Sequence, residues 1–302
     1  MANYYTEHTV LWLNGSFVKA TEAKMDLYSQ SLHYGYSVFE GIRSYKTGSG
    51  VTRIFKATEH FDRLQQSAKA LNLPYHWNTA DLVAITYELL QRNNLQDAYI
   101  RPVVYAPANM SFAENKESFL FIEAWEMQPF LGDKLLSVMT SSFQRPNPKG
   151  FKITAKAAGH YVNSILASQE AKAAGFDEAL LTDMYGFVAE GPGANIFYEK
   201  DGQLFTPSTG NILPGITRAT VIELCNDFGI KLWEKQITLE ELKKADAVFY
   251  CGTAAEVVGW KNLDDTFFPM PWERSVSKII QDAYKFKVTE KAYRTEPAGL
   301  AG

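Results

Sequence analysis

Helix-period and strand-period stretches are mixed irregularly along this chain, and that irregularity constrains its fold more than any other feature. A doubly wound sheet would repeat strand, helix and strand in regular alternation. Here strands come in pairs and runs, with helices between the groups, which favours an α+β architecture. Val10–Leu13 and Ser16–Val18 flank Asn14-Gly15, a pair suited to the φ > 0 positions of a type I′ hairpin turn. Thr58 offers an N-cap to a helix in which Phe61, Leu64, Ala68 and Leu71 recur at helical spacing, with Pro74 beyond its end. Thr79 opens a second helix with Leu82, Ile85 and Leu89 on one face, closed by Asn93-Asn94. Strands follow at Tyr99–Tyr105 and Phe119–Trp125; Pro102 demotes the first to an edge strand or a bulge.

The segment from Glu126 to Asp133 carries Pro and Gly and breaks the pattern, so a domain boundary is expected there, giving domains 1–132 and 133–302. Beyond it the spacing predicts a strand near Leu135–Thr140, a loop, a helix over Asn163–Ala174, and short strands at Ala179–Thr182, Ile196–Glu199 and Gln203–Phe205. A helix from Ile216 to Phe228, ended by Gly229, and a strand at Ala247–Tyr250 complete the pattern. The tail EPAGLAG is expected to fray.

Composition excludes several classes of function. With 30 Lys+Arg against 34 Asp+Glu, the chain lacks the cationic excess that nucleic-acid backbones require. No run of 18 apolar residues occurs, so no transmembrane helix and no membrane partner is expected. MANYYTEHTV resembles neither a signal peptide nor a transit peptide, which points to the cytoplasm. Two cysteines, Cys225 and Cys251, cannot build a disulfide framework, and with five scattered histidines no metal site is expected.

Four segments can carry chemistry. In Ala155-Lys156-Ala157-Ala158-Gly159 small neighbours would let a planar cofactor approach the amine, and a desolvated lysine can form a Schiff base. The same pentapeptide recurs at 171–175, where Lys172 suits the end of an amphipathic helix, so the motif alone decides nothing. Glu190 precedes the tight turn Gly191-Pro192-Gly193, where a carboxylate can hold a pyridine nitrogen protonated. Leu213-Pro214-Gly215-Ile216-Thr217-Arg218 opens a helix whose N-terminus can seat a phosphate. Gly252-Thr253-Ala254-Ala255 follows a buried-looking strand and can present N–H groups to an anion.

Taken in order with Tyr34-Gly35-Tyr36-Ser37-Val38-Phe39-Glu40-Gly41-Ile42-Arg43 and Tyr99-Ile100-Arg101-Pro102, these blocks resemble the signatures of the branched-chain amino acid aminotransferases, from the hairpin to about Gln281. The resemblance implies a two-domain fold type IV enzyme, similar to D-amino acid aminotransferase, with a smaller N-terminal α/β domain and a larger C-terminal domain with a pseudo-barrel. It implies pyridoxal 5′-phosphate as cofactor and reversible amino transfer between L-leucine, L-isoleucine or L-valine and 2-oxoglutarate. Other fold type IV activities, on D-amino acids, (R)-amines or aminodeoxychorismate, are the alternative. By the same resemblance Lys156 is the catalytic lysine, Glu190 pairs with the pyridine nitrogen and Tyr161 bonds the ring phenolate oxygen. Leu213, Gly215, Ile216, Thr217 and Thr253 surround the phosphate. Thr253-Ala254, with Tyr99, takes the substrate α-carboxylate. Tyr34, Phe39 and Gly41 wall the side-chain pocket, Arg101 receives the distal carboxylate of glutamate, and Arg43 orients that region. Met110 and Phe112 sit on a loop that reaches a neighbouring subunit's site, so a homodimer or higher homo-oligomer is implied. Lys56 stands where relatives carry a phosphate-binding Arg, Phe130 where bacterial members often carry a pocket Tyr, and His160 where Asn is common.

Overall fold

A computed structural model describes residues 4–127 and 134–291. Phe130, most of the expected boundary segment and the C-terminal tail lie outside the described residues.

The first sheet is antiparallel. It contains β1 (Val10–Leu13), β2 (Ser16–Lys19), β3 (Ser37–Phe39), β4 (Ile42–Lys46), β5 (Thr52–Ile54), β6 (Ala98–Tyr105) and β7 (Phe119–Glu126), in the order β2-β1-β7-β6-β4-β5 with β3 also on β6. The β1–β2 hairpin turns at Asn14 (φ 46°) and Gly15 (φ 98°), as the dipeptide requires. Between β2 and β3 lies the short helix α1 (Gln30–Tyr34). Helices α2 (Ala57–Ala70) and α3 (Thr79–Arg92) cover one face, where Phe61, Leu64, Ala68, Leu82 and Leu89 meet Ile42, Ile100, Leu120 and Ile122. Asn78 caps α3 by accepting from Ala80 N and Asp81 N. For α2 the expected cap is corrected: Lys56, in the left-handed region at φ 53°, precedes the helix and makes no side-chain cap bond.

Pro102 does not put β6 at an edge. β6 is interior, paired along its length with β7, and on its other side with β4 at 98–100 and β3 at 103–105. The break between β3 and β4 falls opposite Arg101-Pro102, and Glu40 N donates to Pro102 O at 3.0 Å. The missing proline N–H therefore faces a gap in the ladder rather than a waiting acceptor.

The second sheet contains β8 (Leu136–Gln144), β9 (Glu178–Thr182), β10 (Val188–Glu190), β11 (Asn195–Lys200), β12 (Gln203–Pro207), β13 (Leu232–Lys235), β14 (Ala247–Gly252), β15 (Glu256–Leu263) and β16 (Thr266–Phe267). Because β10 pairs with both β9 and β11, the strands β10-β9-β8-β15-β14-β11 close into a barrel-like ring. Helices α4 (Tyr161–Ala173), α5 (Ile216–Asp227), α6 (Leu239–Leu242) and α7 (Val276–Thr289) pack around it; α5 and α7 enclose Phe197, Phe249 and Cys251. The architecture is α+β, with an antiparallel sheet in the N-terminal part and a barrel-like ring in the C-terminal part, as expected. Among the described residues no helix is long and apolar enough to cross a membrane.

Candidate active site

The cleft that gathers the sequence motifs opens where α2, the 155–161 turn, the β10–β11 connection and the start of α5 converge. Lys156 enters it from a clamped peptide: its N–H donates to Ser67 Oγ at 3.0 Å and its carbonyl accepts from Phe39 N at 3.0 Å. Ala155 and Ala157 are buried beside it, so the small neighbours serve close packing. The Lys156 amine donates to Tyr161 Oη at 2.7 Å and lies 5.0 Å from the Phe39 ring centroid. Lys172, in the repeated pentapeptide, is exposed near the end of α4. Identical local sequence thus yields one lysine in a cleft and one in solvent, decided by tertiary position.

Glu190 ends β10, is buried and lines the same cleft. It accepts from Asn195 Nδ2 at 2.9 Å and Leu213 N at 3.1 Å, and Arg145 Nε lies 2.8 Å from its Oε1. Burial pushes its carboxyl above the ordinary range despite Arg145 and the Leu213 N–H, which act in the opposite sense. Asn195 also donates to Leu213 O at 3.0 Å, so one amide ties the acid to the approach of α5. Gly215 makes room for it: a Cβ there would meet Asn195 Oδ1 at 2.0 Å.

α5 begins at Ile216 on the same cleft, and the first N–H groups of a helix have no intrahelical acceptor. Leu213, Gly215, Ile216, Thr217, Gly252 and Thr253 line the cleft, and so does Arg63. Arg63 is fixed from behind. Its Nε and Nη2 hold the two Glu40 oxygens at 2.7 and 2.8 Å, His60 Nδ1 stands 2.7 Å from the same carboxylate, and Nη1 donates to Pro214 O at 2.9 Å. Burial raises the Glu40 carboxyl, but Arg63 and His60 outweigh it and hold it at about 2.

On the β3–β6–β7 side, Phe39 packs edge-on against Tyr161 at 4.8 Å, and the Arg101 guanidinium sits 4.5 Å from the centroid of the same Phe39 ring. Arg101 Nη2 donates to Tyr99 Oη at 3.1 Å. Gly41 is required here, since a Cβ on it would fall 1.9 Å from that hydroxyl. Arg43 is buried on β4, donating to Met127 O at 3.1 Å and lying 3.7 Å from Glu256. Ala254 lines an adjoining groove between α4 and the Gly191–Ala194 turn.

Two expected positions fall outside this chain's cleft. Lys56 is absent from the cleft lining; its amine pairs with Glu59 at 3.1 Å and Glu223 at 3.3 Å, and the cation that reaches the start of α5 is Arg63. Tyr34 does not wall this chain's cleft. α1 ends at Gly35 in the left-handed region (φ 64°), and Tyr34 is half exposed beside Phe112, 5.8 Å between ring centroids. Met110, expected on a loop that reaches a neighbouring subunit, is half exposed. Arg63, Arg145, Asn195 and Ser67 are residues that sequence reading missed. The one signal for Arg63 was its place three residues after His60, on the side of α2 that the apolar residues bury.

The donor set fits pyridoxal phosphate: an amine, a buried acid, and a helix N-terminus with a hydroxyl and a guanidinium, all on one cleft. Comparisons with known proteins agree. The amino-transferase class IV family matches residues 37–263. A branched-chain-amino-acid aminotransferase of Pseudomonas aeruginosa is 39% identical over 281 residues, 91% of each chain. The crystal structure of the Escherichia coli branched-chain amino acid aminotransferase superposes with a TM-score of 0.90 at 34% identity, over 96% of this chain and 98% of that one. The branched-chain amino acid aminotransferase of Thermobaculum terrenum, solved in its PLP-bound holo form, gives 0.87 at 31% identity, over 94% and 95%. The chain therefore belongs to the class IV aminotransferases and, within them, to the branched-chain amino acid aminotransferase family.

Proposed function

We propose that this chain is a pyridoxal-phosphate-dependent aminotransferase that exchanges the amino group between L-leucine, L-isoleucine or L-valine and 2-oxoglutarate. The observation that carries the reading is the placement of the Lys156 amine, the buried Glu190 carboxylate, the start of α5 and Arg63 on one cleft. When bound, the cofactor supplies an electron sink for the bond changes at the substrate's Cα. Lys156 would be the residue that holds its aldehyde, and Lys156 Nζ is the amine placed to take and return a substrate's Cα proton. Tyr161 Oη, 2.7 Å from that amine, holds its position and offers a hydrogen bond to the ring oxygen. Glu190 would meet the ring nitrogen, and Arg145 and Asn195 keep its carboxylate aimed. Arg63, Thr217, Thr253 and the N–H groups at Gly215 and Ile216 would hold the phosphate.

The Thr253-Ala254 turn and Tyr99 take the α-carboxylate, Phe39 and Gly41 shape the side-chain pocket, and Arg101 receives a distal carboxylate. Relatives named for branched-chain amino acids, and a solved branched-chain amino acid aminotransferase complexed with 4-methylvaleric acid, support this substrate class. We place the domain boundary at 132/133, between the end of β7 and the start of β8. A homodimer fits the exposed Leu32, Tyr34, Met110 and Phe112, and a reducing, cytoplasmic setting fits two free buried cysteines. Initial rates with L-leucine, D-alanine and an (R)-amine test the reading: activity with L-leucine and 2-oxoglutarate supports it, and activity confined to the other two donors contradicts it.

A further inference from the structure

One face of the β6–β7 ribbon, the face that carries Arg101 to Phe39, is a ladder of cross-strand pairs: Tyr99 opposite Trp125, Arg101 opposite Glu123, Val103 opposite Phe121 and Tyr105 opposite Phe119. The flanking pairs make the contacts this register demands, with ring centroids 5.1 Å apart for Tyr99–Trp125 and 5.4 Å for Tyr105–Phe119. Directly opposed residues carry their Cβ atoms about 4.5–5.5 Å apart on one face. Glu123 therefore stands beside Arg101. The pair is not closed: among the described residues the Glu123 side chain forms no hydrogen bond or ion pair within 4 Å, Arg101 leans to Tyr99 Oη at 3.1 Å, and Arg101 Nε is buried without an acceptor. Burial pushes the Glu123 carboxyl up, and Arg101 draws it back down.

We infer that Glu123 is a specificity-determining residue, an internal carboxylate that competes with a substrate's distal carboxylate for Arg101. The inference rests on the reading of Arg101 given above. A branched aliphatic side chain brings no charge, so it leaves the attraction between Glu123 and Arg101 undisturbed. A dicarboxylate must bring a second negative charge beside Glu123, and unlike a neutral side chain it is opposed by like-charge repulsion. Glu123 thus biases the shared pocket toward apolar side chains and against glutamate and 2-oxoglutarate.

The test is equilibrium binding of two unreactive probes, glutarate and 4-methylvalerate, to the cofactor-loaded protein by titration calorimetry at pH 7. Glu123→Gln, near-isosteric and neutral, is expected to lower the Kd for glutarate about five-fold or more, as removal of a like charge a few ångströms away implies. The Kd for 4-methylvalerate stays within about two-fold, and Glu123→Ala moves glutarate in the same direction. An unchanged glutarate Kd, a weaker one, or equal shifts for both probes overturns the inference. Arg101→Gln separates the two levels. If it weakens glutarate selectively while Glu123→Gln does not strengthen it, Arg101 keeps its role and Glu123 loses the one assigned here. If Arg101→Gln leaves glutarate untouched, the reading of Arg101 falls, and the role of Glu123 falls with it.

Discussion

Glu40 shows how a single side chain can govern both stability and the cleft. It is fully buried, and its two oxygens are held by Arg63 and His60. Removing one member of such a cluster leaves uncompensated charge in the interior, which costs about 3–5 kcal/mol. Glu40→Gln is expected to lose a stability in that range in urea unfolding at pH 7; a loss below about 0.5 kcal/mol would contradict the account. The pH dependence follows in sign. The Glu40 carboxyl is held at about 2, below its ordinary 4.5, so its stabilising share is complete above that ordinary value and is lost as pH falls through about 2. His60 and His160 are pushed down by burial from their ordinary 6.5, so the unfolded chain takes up protons first as pH drops below that value. Stability should therefore fall in two stages on acidification, and the second stage should shrink in Glu40→Gln.

At the scale of elements, the proposed phosphate end draws on α2 and α5, which are far apart in sequence. α5 brings N–H groups and Thr217; α2 brings Arg63, braced by Glu40 of the β3–β4 connection. A charge-assisted hydrogen bond is worth about 1.5–3 kcal/mol, or roughly ten- to a hundred-fold in affinity. Arg63→Ala should weaken pyridoxal phosphate binding to the apoprotein by that factor and leave pyridoxal, which lacks the phosphate, nearly unaffected. Equal losses for both would remove Arg63 from the phosphate site. The same elements show what local sequence can reveal. The β1–β2 hairpin, α2, α3 and the start of α5 were legible because turn chemistry and helical spacing are local. Arg63 was not, because its partner Glu40 lies 23 residues away and looks like any other acid. Pro102 suggests an edge strand or a bulge, and the edge alternative fails for the same reason: the gap that accommodates Pro102 belongs to strands β3 and β4. Nor could spacing show that β10 meets both β9 and β11 to close the ring.

At the scale of the molecule, the chain exposes several large apolar side chains around α1 and the 107–113 loop. Leu27, Tyr28, Leu32 and Phe112 are all more than half exposed. A patch of this kind fits the homodimer proposed above. Phe112→Asp is expected to shift the protein toward monomer in sedimentation velocity and to lower turnover at saturating leucine. A dimer that persists unchanged would place the interface elsewhere. Lys156 and Glu190, which stand out in the sequence, are brought by the fold to one cavity. The most direct measurement is the near-visible absorption spectrum of the purified protein with pyridoxal phosphate, before and after borohydride, for the unaltered chain, Lys156→Ala and Lys172→Ala. The account predicts a band that borohydride abolishes, with covalent retention of the cofactor, in the unaltered chain and in Lys172→Ala, and neither feature in Lys156→Ala. Absence of the band in the unaltered chain, or its survival in Lys156→Ala, would contradict it.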